Sequence, residues 1–126
     1  MAYELNEAGF ARIDGFFTRI GKHLPDVRQR ASFATYGFGL LGDGERKSVE
    51  PIAARACPEP GECKKMQNRL LDFLARGRWQ DRPIRLEAAR YAIEALSIHE
   101  KVHVWVIDDT GFLKQGRDSV RAQRQY

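Results

Sequence analysis

The spacing of its apolar residues is the feature that most constrains what this chain can fold into. From residue 4 to residue 96, apolar side chains recur at intervals of three and four positions, which is the pattern of one face of an α-helix. The run VHVWVI at residues 102–107 instead alternates and is rich in β-branched residues, as is typical of a buried strand. The sequence therefore predicts a mainly α fold that ends in a short β-hairpin, whose second strand is predicted at residues 119–124.

The helical pattern falls into about five segments, which are separated by turns rich in proline, glycine and charged residues. Ser48 and Asp81 precede two of these segments and are predicted to cap them, because their side-chain oxygens accept hydrogen bonds from the first backbone N–H groups of a helix. Pro25 suits the first turn of another segment, where no N–H is needed. The predicted helices cover residues 4–22, 25–41, 48–56, 62–76 and 83–96.

Helical spacing also predicts which side chains of the fourth helix are buried. The residues predicted to face inward there are Met66, Leu70, Leu71 and Leu74. Trp105, within the alternating run, is predicted to lie in the core. Trp79 stands beside arginines, where an aromatic ring either stacks on a base or anchors a loop, and the loop anchor is the favoured interpretation.

Positive charge is concentrated in one part of the chain. The net charge is +4, and residues 61–90 contain eight Lys and Arg against four Asp and Glu, whereas the two counts are equal on either side. Such a local surplus is the electrostatic footprint of a protein that binds a polyanion. Residues 45–76 also follow the order helix, turn, helix, which predicts a helix-turn-helix variant that lays its second helix against DNA. The residues predicted to contact DNA are Arg46, Lys47, Lys64, Lys65, Arg69, Arg76 and Arg78.

The residues alone leave a second interpretation of this basic region open. The turn CPEPGE is longer than the usual turn of about three or four residues in a helix-turn-helix. An arginine-rich helix face that is merely solvated gives the same pattern. Charge and spacing alone are therefore consistent with DNA binding but do not favour it over a solvated face.

Two cysteines, Cys57 and Cys63, have five residues between them. Such a pair either closes a small loop or supplies half of a metal site. No second Cys or His pair completes a zinc set, so two reduced thiols are the favoured interpretation.

The segment GFGLLG at residues 37–42 matches the glycine spacing of a dinucleotide-binding turn. That turn requires a strand before the glycines and a helix after them. Here a helix precedes them, so the glycines are predicted to end the second helix instead.

Asp108 follows the predicted strand at residues 102–107, and Asp109, Thr110 and Gly111 come directly after it. Several nucleases present a carboxylate to Mg²⁺ at the end of a buried strand in this way. The same residues also form an ordinary turn, so their spacing alone supports either interpretation.

The segment VIDDTGFLKQGRDSVRAQRQY, residues 106–126, resembles the first catalytic block of DDE-type insertion-sequence transposases, and most of all the branch called the seven-oh-one family. The resemblance continues upstream. The segments GERKSVEPIAAR, MQNRLLDFL, RGRW and RPIR occur in that family in the same order. Effectively the whole chain is therefore covered.

The resemblance implies an N-terminal helical region, residues 1–98, that helps to bind transposon DNA. It also implies an RNase H-like catalytic domain, whose first strands would be residues 99–126. By the same resemblance Asp108 is the first carboxylate of the DDE triad and a Mg²⁺ ligand, with Asp109 as second choice. Only 18 residues follow Asp108, so the second Asp and the Glu of the triad are missing from this chain. The chain alone is therefore expected to bind no Mg²⁺ firmly and to be catalytically incomplete.

Two functions are consistent with these observations. The first is a truncated transposase-like protein that binds DNA without cleaving it or transferring strands. The second is a remnant repurposed as a regulator or inhibitor, which acts through protein-protein contacts at the exposed hairpin edge or as a homodimer. No apolar run approaches the roughly 18 residues of a membrane span, and Glu4 and Glu7 stand where a signal peptide needs positive charge. A cytoplasmic protein without a membrane partner is predicted.

Overall fold

The computed structural model describes residues 6–108 of the chain, which contain five α-helices and no strand. A 3-10 turn at Pro60–Glu62 leads into the fourth helix, and a π-helical turn at Asp72–Arg76 follows it. The prediction of a mainly α fold is confirmed for this part of the chain. None of its helices combines the length and the apolar character needed to cross a membrane. The helices are α1 (Glu7–Gly21), α2 (Val27–Leu41), α3 (Val49–Ala56), α4 (Cys63–Leu71) and α5 (Asp81–Ser97).

Side-chain caps explain where α1 and α2 begin. The side chain of Asn6 accepts a hydrogen bond from the backbone N–H of Gly9 at 2.8 Å, and that of Asp26 accepts one from the N–H of Arg28 at 2.7 Å. Pro25 therefore lies before the cap of α2 and not in its first turn. Ser48 occupies the N-cap position of α3 as predicted, although its side chain makes no capping bond.

Asp81 was expected to cap α5 but is instead the first residue of that helix, and Gln80 holds the N-cap position. The carboxylate of Asp81 pairs with Arg85, one turn later, at 3.0 Å. A negative charge in the first turn still favours the helix, because it lies beside the positive end of the helix dipole.

The core is built where α1, α3 and α4 meet α2. Ile52 and Ala53 of α3 pack against Leu70 of α4, with Tyr36 of α2 beside them. The aromatic ring of Phe17 on α1 contacts the rings of two phenylalanines on α2 at centroid distances of 5.0 and 5.6 Å. The buried apolar residues are Phe17, Ile20, Leu24, Ile52, Ala53, Leu70 and Phe73.

Two of the leucines predicted to face inward on the fourth helix are exposed. Leu70 is fully buried, whereas Leu71 and Leu74 are 42% and 40% exposed. Phe73, three positions after Leu70, is buried instead, so the inward-facing stripe continues at a spacing of three and Leu74 lies at its edge.

The prediction that the glycines of residues 37–42 end the second helix is correct only for Gly42, which is its C-cap. Gly37 and Gly39 lie inside α2. A Cβ atom at Gly37 would overlap the ring of Phe17, and one at Gly39 would overlap the side chain of Ile52. The two glycines therefore allow α1 and α3 to approach α2 closely.

Residues 101–108 have no regular secondary structure, and the apolar side chains of residues 104–107 are exposed. Trp105 is 68% exposed and Ile107 is 95% exposed. The prediction that Trp105 lies in the core is therefore wrong. A strand is buried only when it joins a sheet that packs on another element, and no strand lies within residues 6–108. The second predicted strand, residues 119–124, falls outside the described residues, and the hairpin remains a prediction.

A buried ionic cluster joins α1 to α5. Glu87 is only 5% exposed, and its carboxylate accepts a hydrogen bond from Nε of Arg19 at 2.7 Å. The other guanidinium nitrogens of Arg19 bind the two oxygens of Glu94 at 2.6 and 2.8 Å. Nε2 of His23 lies 3.4 Å from Glu87. The Arg19 guanidinium holds the pKa of Glu87 at about 2, well below its ordinary value.

We expect replacement of Glu87 by Ala to lower the melting temperature by about 5 °C or more, because the half-buried Arg19 loses its buried carboxylate partner. Glu94→Ala is the matched control, since that side chain is 62% exposed and solvent screens its pairing. Its shift should be about 2 °C or less. Thermal unfolding followed by far-UV circular dichroism measures both. Equal changes in melting temperature in the two variants would contradict the prediction that the buried Glu87 stabilises the fold more than the exposed Glu94.

The same ionic cluster predicts that the free energy of unfolding falls in acid. The pKa of Glu87 is about 2 in the folded chain against an ordinary value of 4.5, so its ionised form favours folding. That contribution is complete above pH 4.5 and is lost as the pH falls from there towards 2. Urea unfolding at about pH 6 and about pH 3 should show a smaller loss of unfolding free energy in Glu87→Gln than in the unmodified chain. An identical loss in both chains would show that other carboxylates cause the acid sensitivity.

Candidate nucleic-acid interface

An open groove of about 1020 Å³ runs between the first half of α2 and the end of α4 with the loop that follows it. Four arginines line this groove: Arg28 on α2, Arg69 on α4, Arg76 in the π-helical turn and Arg78 just after it. Its floor includes apolar side chains such as Met66 and Phe73. We call this surface the arginine groove.

The arginine groove carries an excess of positive charge. Asp26 and Asp72 are its only carboxylates, so four arginines face two negative charges. Asp26 caps α2 by accepting from the backbone N–H of Arg28, and Asp72 pairs with Arg76 at 3.1 Å. Within residues 6–108, the other three arginine side chains form no ion pair. Their N–H groups can therefore donate hydrogen bonds to an anionic ligand.

Trp79 fixes the loop that carries two of these arginines. Its ring stacks on that of Phe73 at a centroid distance of 5.3 Å and an interplanar angle of 15°, and its Nε1 donates a hydrogen bond to the Phe73 carbonyl at 3.0 Å. At Gly77 between them, a Cβ atom would lie 2.5 Å from that carbonyl oxygen. The favoured interpretation of Trp79 as a loop anchor is confirmed. Arg76 and Arg78 flank the anchored glycine, so both are held at the edge of the groove.

The structure brings together three of the residues predicted to contact DNA and adds one that sequence reasoning missed. Arg69, Arg76 and Arg78 all line the groove, and Arg28 faces them from α2. On α2, the apolar residue Ala31 also lines the groove, beside the polar residues. Arg28, Ser32 and Thr35 lie four and three positions apart, and this polar stripe is the signal that would have found the second wall of the groove.

The two predicted lysines on α4 are exposed and lie outside the lining of the groove. Nζ of Lys65 is 3.6 Å from a carboxylate oxygen of Glu62, and Nζ of Lys64 is 3.5 Å from the side-chain oxygen of Gln67. Both contacts are on the surface, where ion pairs are weak and easily exchanged. Lys64 and Lys65 therefore remain available to a polyanion that extends beyond the groove along α4.

Arg46 and Lys47 lie in the connection between α2 and α3, also outside the lining of the groove. Lys47 is half-buried, and its ammonium group donates to the carbonyl oxygens of Gly42 and, at 3.4 Å, Gly39. It thereby satisfies carbonyls that the end of α2 leaves without an intrahelical partner. Arg46 is exposed, and its carbonyl accepts a hydrogen bond from Arg55 at 3.1 Å. Of these two residues, Arg46 is the one whose charge faces solvent.

Asp108, the predicted first carboxylate of a catalytic site, is the last residue that the structure describes, and it is exposed. Asp109 lies outside the described residues. Within residues 6–108, no three His, Cys, Asp or Glu side chains are grouped so that they can hold a metal ion. Phosphoryl transfer with two metal ions needs several carboxylates close together, and residues 6–108 contain no such group.

A comparison with protein families matches residues 19–126 to the model of the DDE superfamily endonucleases. The chain belongs to this family. The matched residues include all four arginines of the groove and Asp108. Membership of the family also indicates that the chain has a transposase-like origin. Comparison with curated proteins and with solved structures returns no match.

Membership of the DDE superfamily endonucleases confirms the resemblance seen in the sequence at the level of the family. The finer assignment to the seven-oh-one branch remains a prediction. Endonucleases of this superfamily generally use Mg²⁺. Asp108 has the chemistry of one ligand for that ion, but the described residues do not complete a ligand set for it.

The two tryptophans of this DDE superfamily endonuclease give a direct test of the anchored loop. Trp79 is half-buried and stacked, whereas Trp105 is 68% exposed. We expect a Trp105→Phe variant, which keeps Trp79, to emit at shorter wavelength and to be quenched less by iodide than a Trp79→Phe variant. Similar emission and quenching in the two variants would mean that Trp79 does not close the loop onto Phe73.

Proposed function

We propose that residues 1–98 form a DNA-binding domain and that the arginine groove holds the phosphate backbone of the DNA. The observation that carries this proposal is the convergence of four arginines, from two separate parts of the sequence, on one open groove. Guanidinium groups bind phosphate oxygens through paired N–H donors, and three of these four have no carboxylate partner within residues 6–108. Family membership supports DNA as the polyanion.

The connection between α3 and α4 bears on how DNA would be bound. It spans residues 57–62 and includes a 3-10 turn, so it is longer than the turn of a standard helix-turn-helix. The arginines lie at the end of α4 and beyond it, whereas a standard recognition helix reads bases with residues near its N-terminus. We therefore propose binding that rests on phosphate contacts, with strong salt dependence and modest sequence specificity.

The match to the family extends to residue 126, and this supports a second part of the proposal. Residues 99–126 would begin an RNase H-like catalytic domain of the kind found in insertion-sequence transposases. Asp108 would supply the first carboxylate for Mg²⁺, with Asp109 as second choice. Strand transfer would then require carboxylates beyond those in residues 6–108.

We expect Arg69→Gln with Arg78→Gln to weaken DNA binding about tenfold or more, because two phosphate contacts are lost. The slope of affinity against salt should also fall by about two. Fluorescence anisotropy of a labelled duplex at about 50 and about 200 mM salt measures both quantities. Arg12→Gln with Lys101→Gln is the matched control, since it removes the same charge from exposed positions outside the groove.

Equal weakening in the two double variants would show that net charge, and not the groove, governs binding. No binding by the unmodified chain at either salt concentration would contradict the proposal altogether. It would favour the alternative of a regulator or inhibitor that acts through protein-protein contacts or as a homodimer, for which the exposed apolar side chains at residues 104–107 are the natural surface.

A further inference from the structure

The two cysteines lie at the two ends of the connection between α3 and α4. Cys57 is the C-cap of α3, and Cys63 is the first residue of α4. Both sulfurs contact the same atom, because the backbone oxygen of Glu59 is 3.0 Å from Sγ of Cys57 and 3.7 Å from Sγ of Cys63. Both side chains are half-buried and therefore remain accessible to a small molecule. The fold thus holds two thiols side by side over one carbonyl.

We propose that Cys57 and Cys63 form a redox-active thiol pair, which small disulfides oxidise to an intramolecular disulfide. Cys57 loses its proton to solvent, and its thiolate attacks one sulfur of the small disulfide. One small thiolate leaves and takes up a proton, and a mixed disulfide remains on Cys57. Cys63 then loses its proton to solvent and attacks Sγ of Cys57, which releases the second small thiolate. Two protein thiols are oxidised and one small disulfide is reduced to two thiols, so electrons and protons balance.

The order of the two attacks follows from the environment of Cys63. Burial raises the pKa of the Cys63 thiol, and the neighbouring sulfur of Cys57 raises it further. Cys63 therefore remains largely protonated at neutral pH and is the poorer first nucleophile. It gains reactivity only when the mixed disulfide on Cys57 places a target sulfur beside it.

The connection between the cysteines has a restricted backbone. It contains Pro58 and Pro60, whose rings restrict the backbone, and Glu59 between them is extended. The 3-10 turn Pro60–Glu62 then leads directly into Cys63. Because the folded chain already holds the sulfurs close together, folding and disulfide formation must stabilise each other by the same factor.

The test is equilibration of the chain with mixtures of reduced and oxidised glutathione, followed by acid quenching, thiol counting and mass spectrometry of peptides. We expect one disulfide between Cys57 and Cys63, in a monomer, that dithiothreitol reverses. The equilibrium constant for its formation should be about tenfold or more greater in the native chain than in guanidinium chloride. An equal or smaller constant in the native chain would overturn the proposal.

Single variants separate the roles of the two thiols. Cys63→Ser should accumulate a glutathione adduct on Cys57, because the resolving thiol is absent. Cys57→Ser should react at least about threefold more slowly with oxidised glutathione. Stable adducts on both cysteines of the unmodified native chain, or disulfide-linked dimers, would show that the two thiols do not act together.

Discussion

The close approach of α1 and α3 to α2, which Gly37 and Gly39 permit, sets the geometry of the described structure. Any side chain at these positions would overlap Phe17 or Ile52. Because Ile52 also packs against Leu70 of α4, the distance from α2 to α3 determines where α4 lies relative to α2. The arginine groove lies between α2 and the end of α4, so its width depends on two glycines that do not line it.

The fifth helix is held by a different kind of interaction. It packs against α1, with Glu87 buried at the contact and Arg19 bonded to it at 2.7 Å. The ring of Tyr91 meets that of Phe16 edge-on at 4.9 Å, and the guanidinium of Arg19 lies over the Tyr91 ring, 5.6 Å from its centroid. A buried carboxylate is tolerated only with its charge compensated, and this requirement specifies one register of α5 on α1. Apolar packing alone is less selective, because several registers bury similar area.

The sequence predicted the helices well and their contacts poorly, for a physical reason. Helix positions follow from local periodicity and caps, as for α2, whose predicted apolar stripe ends at Leu41 as the helix does. The partner of Glu87 is 68 residues away in the sequence, and no local pattern encodes that pairing. Phe73 and Leu74 both fit helical spacing after Leu70, and periodicity does not decide which of the two the neighbouring helices bury. Arg28 joins the other arginines only through the packing of α2 beside α4, which local sequence does not encode.

The arginine groove differs from a solvated basic helix face because its arginines come from two separate helices. An isolated basic helix presents its charges in any folded or partly folded state, whereas Arg28 and Arg69 come together only when α2 and α4 are packed. The positive end of the α2 dipole adds little, because Asp26 caps it. The proposed attraction for an anion therefore rests on arginines whose backbone positions the fold sets, two of them through the stacking of Trp79 on Phe73. Loss of that stacking should weaken anion binding without removing a charge, which no solvated helix face would show.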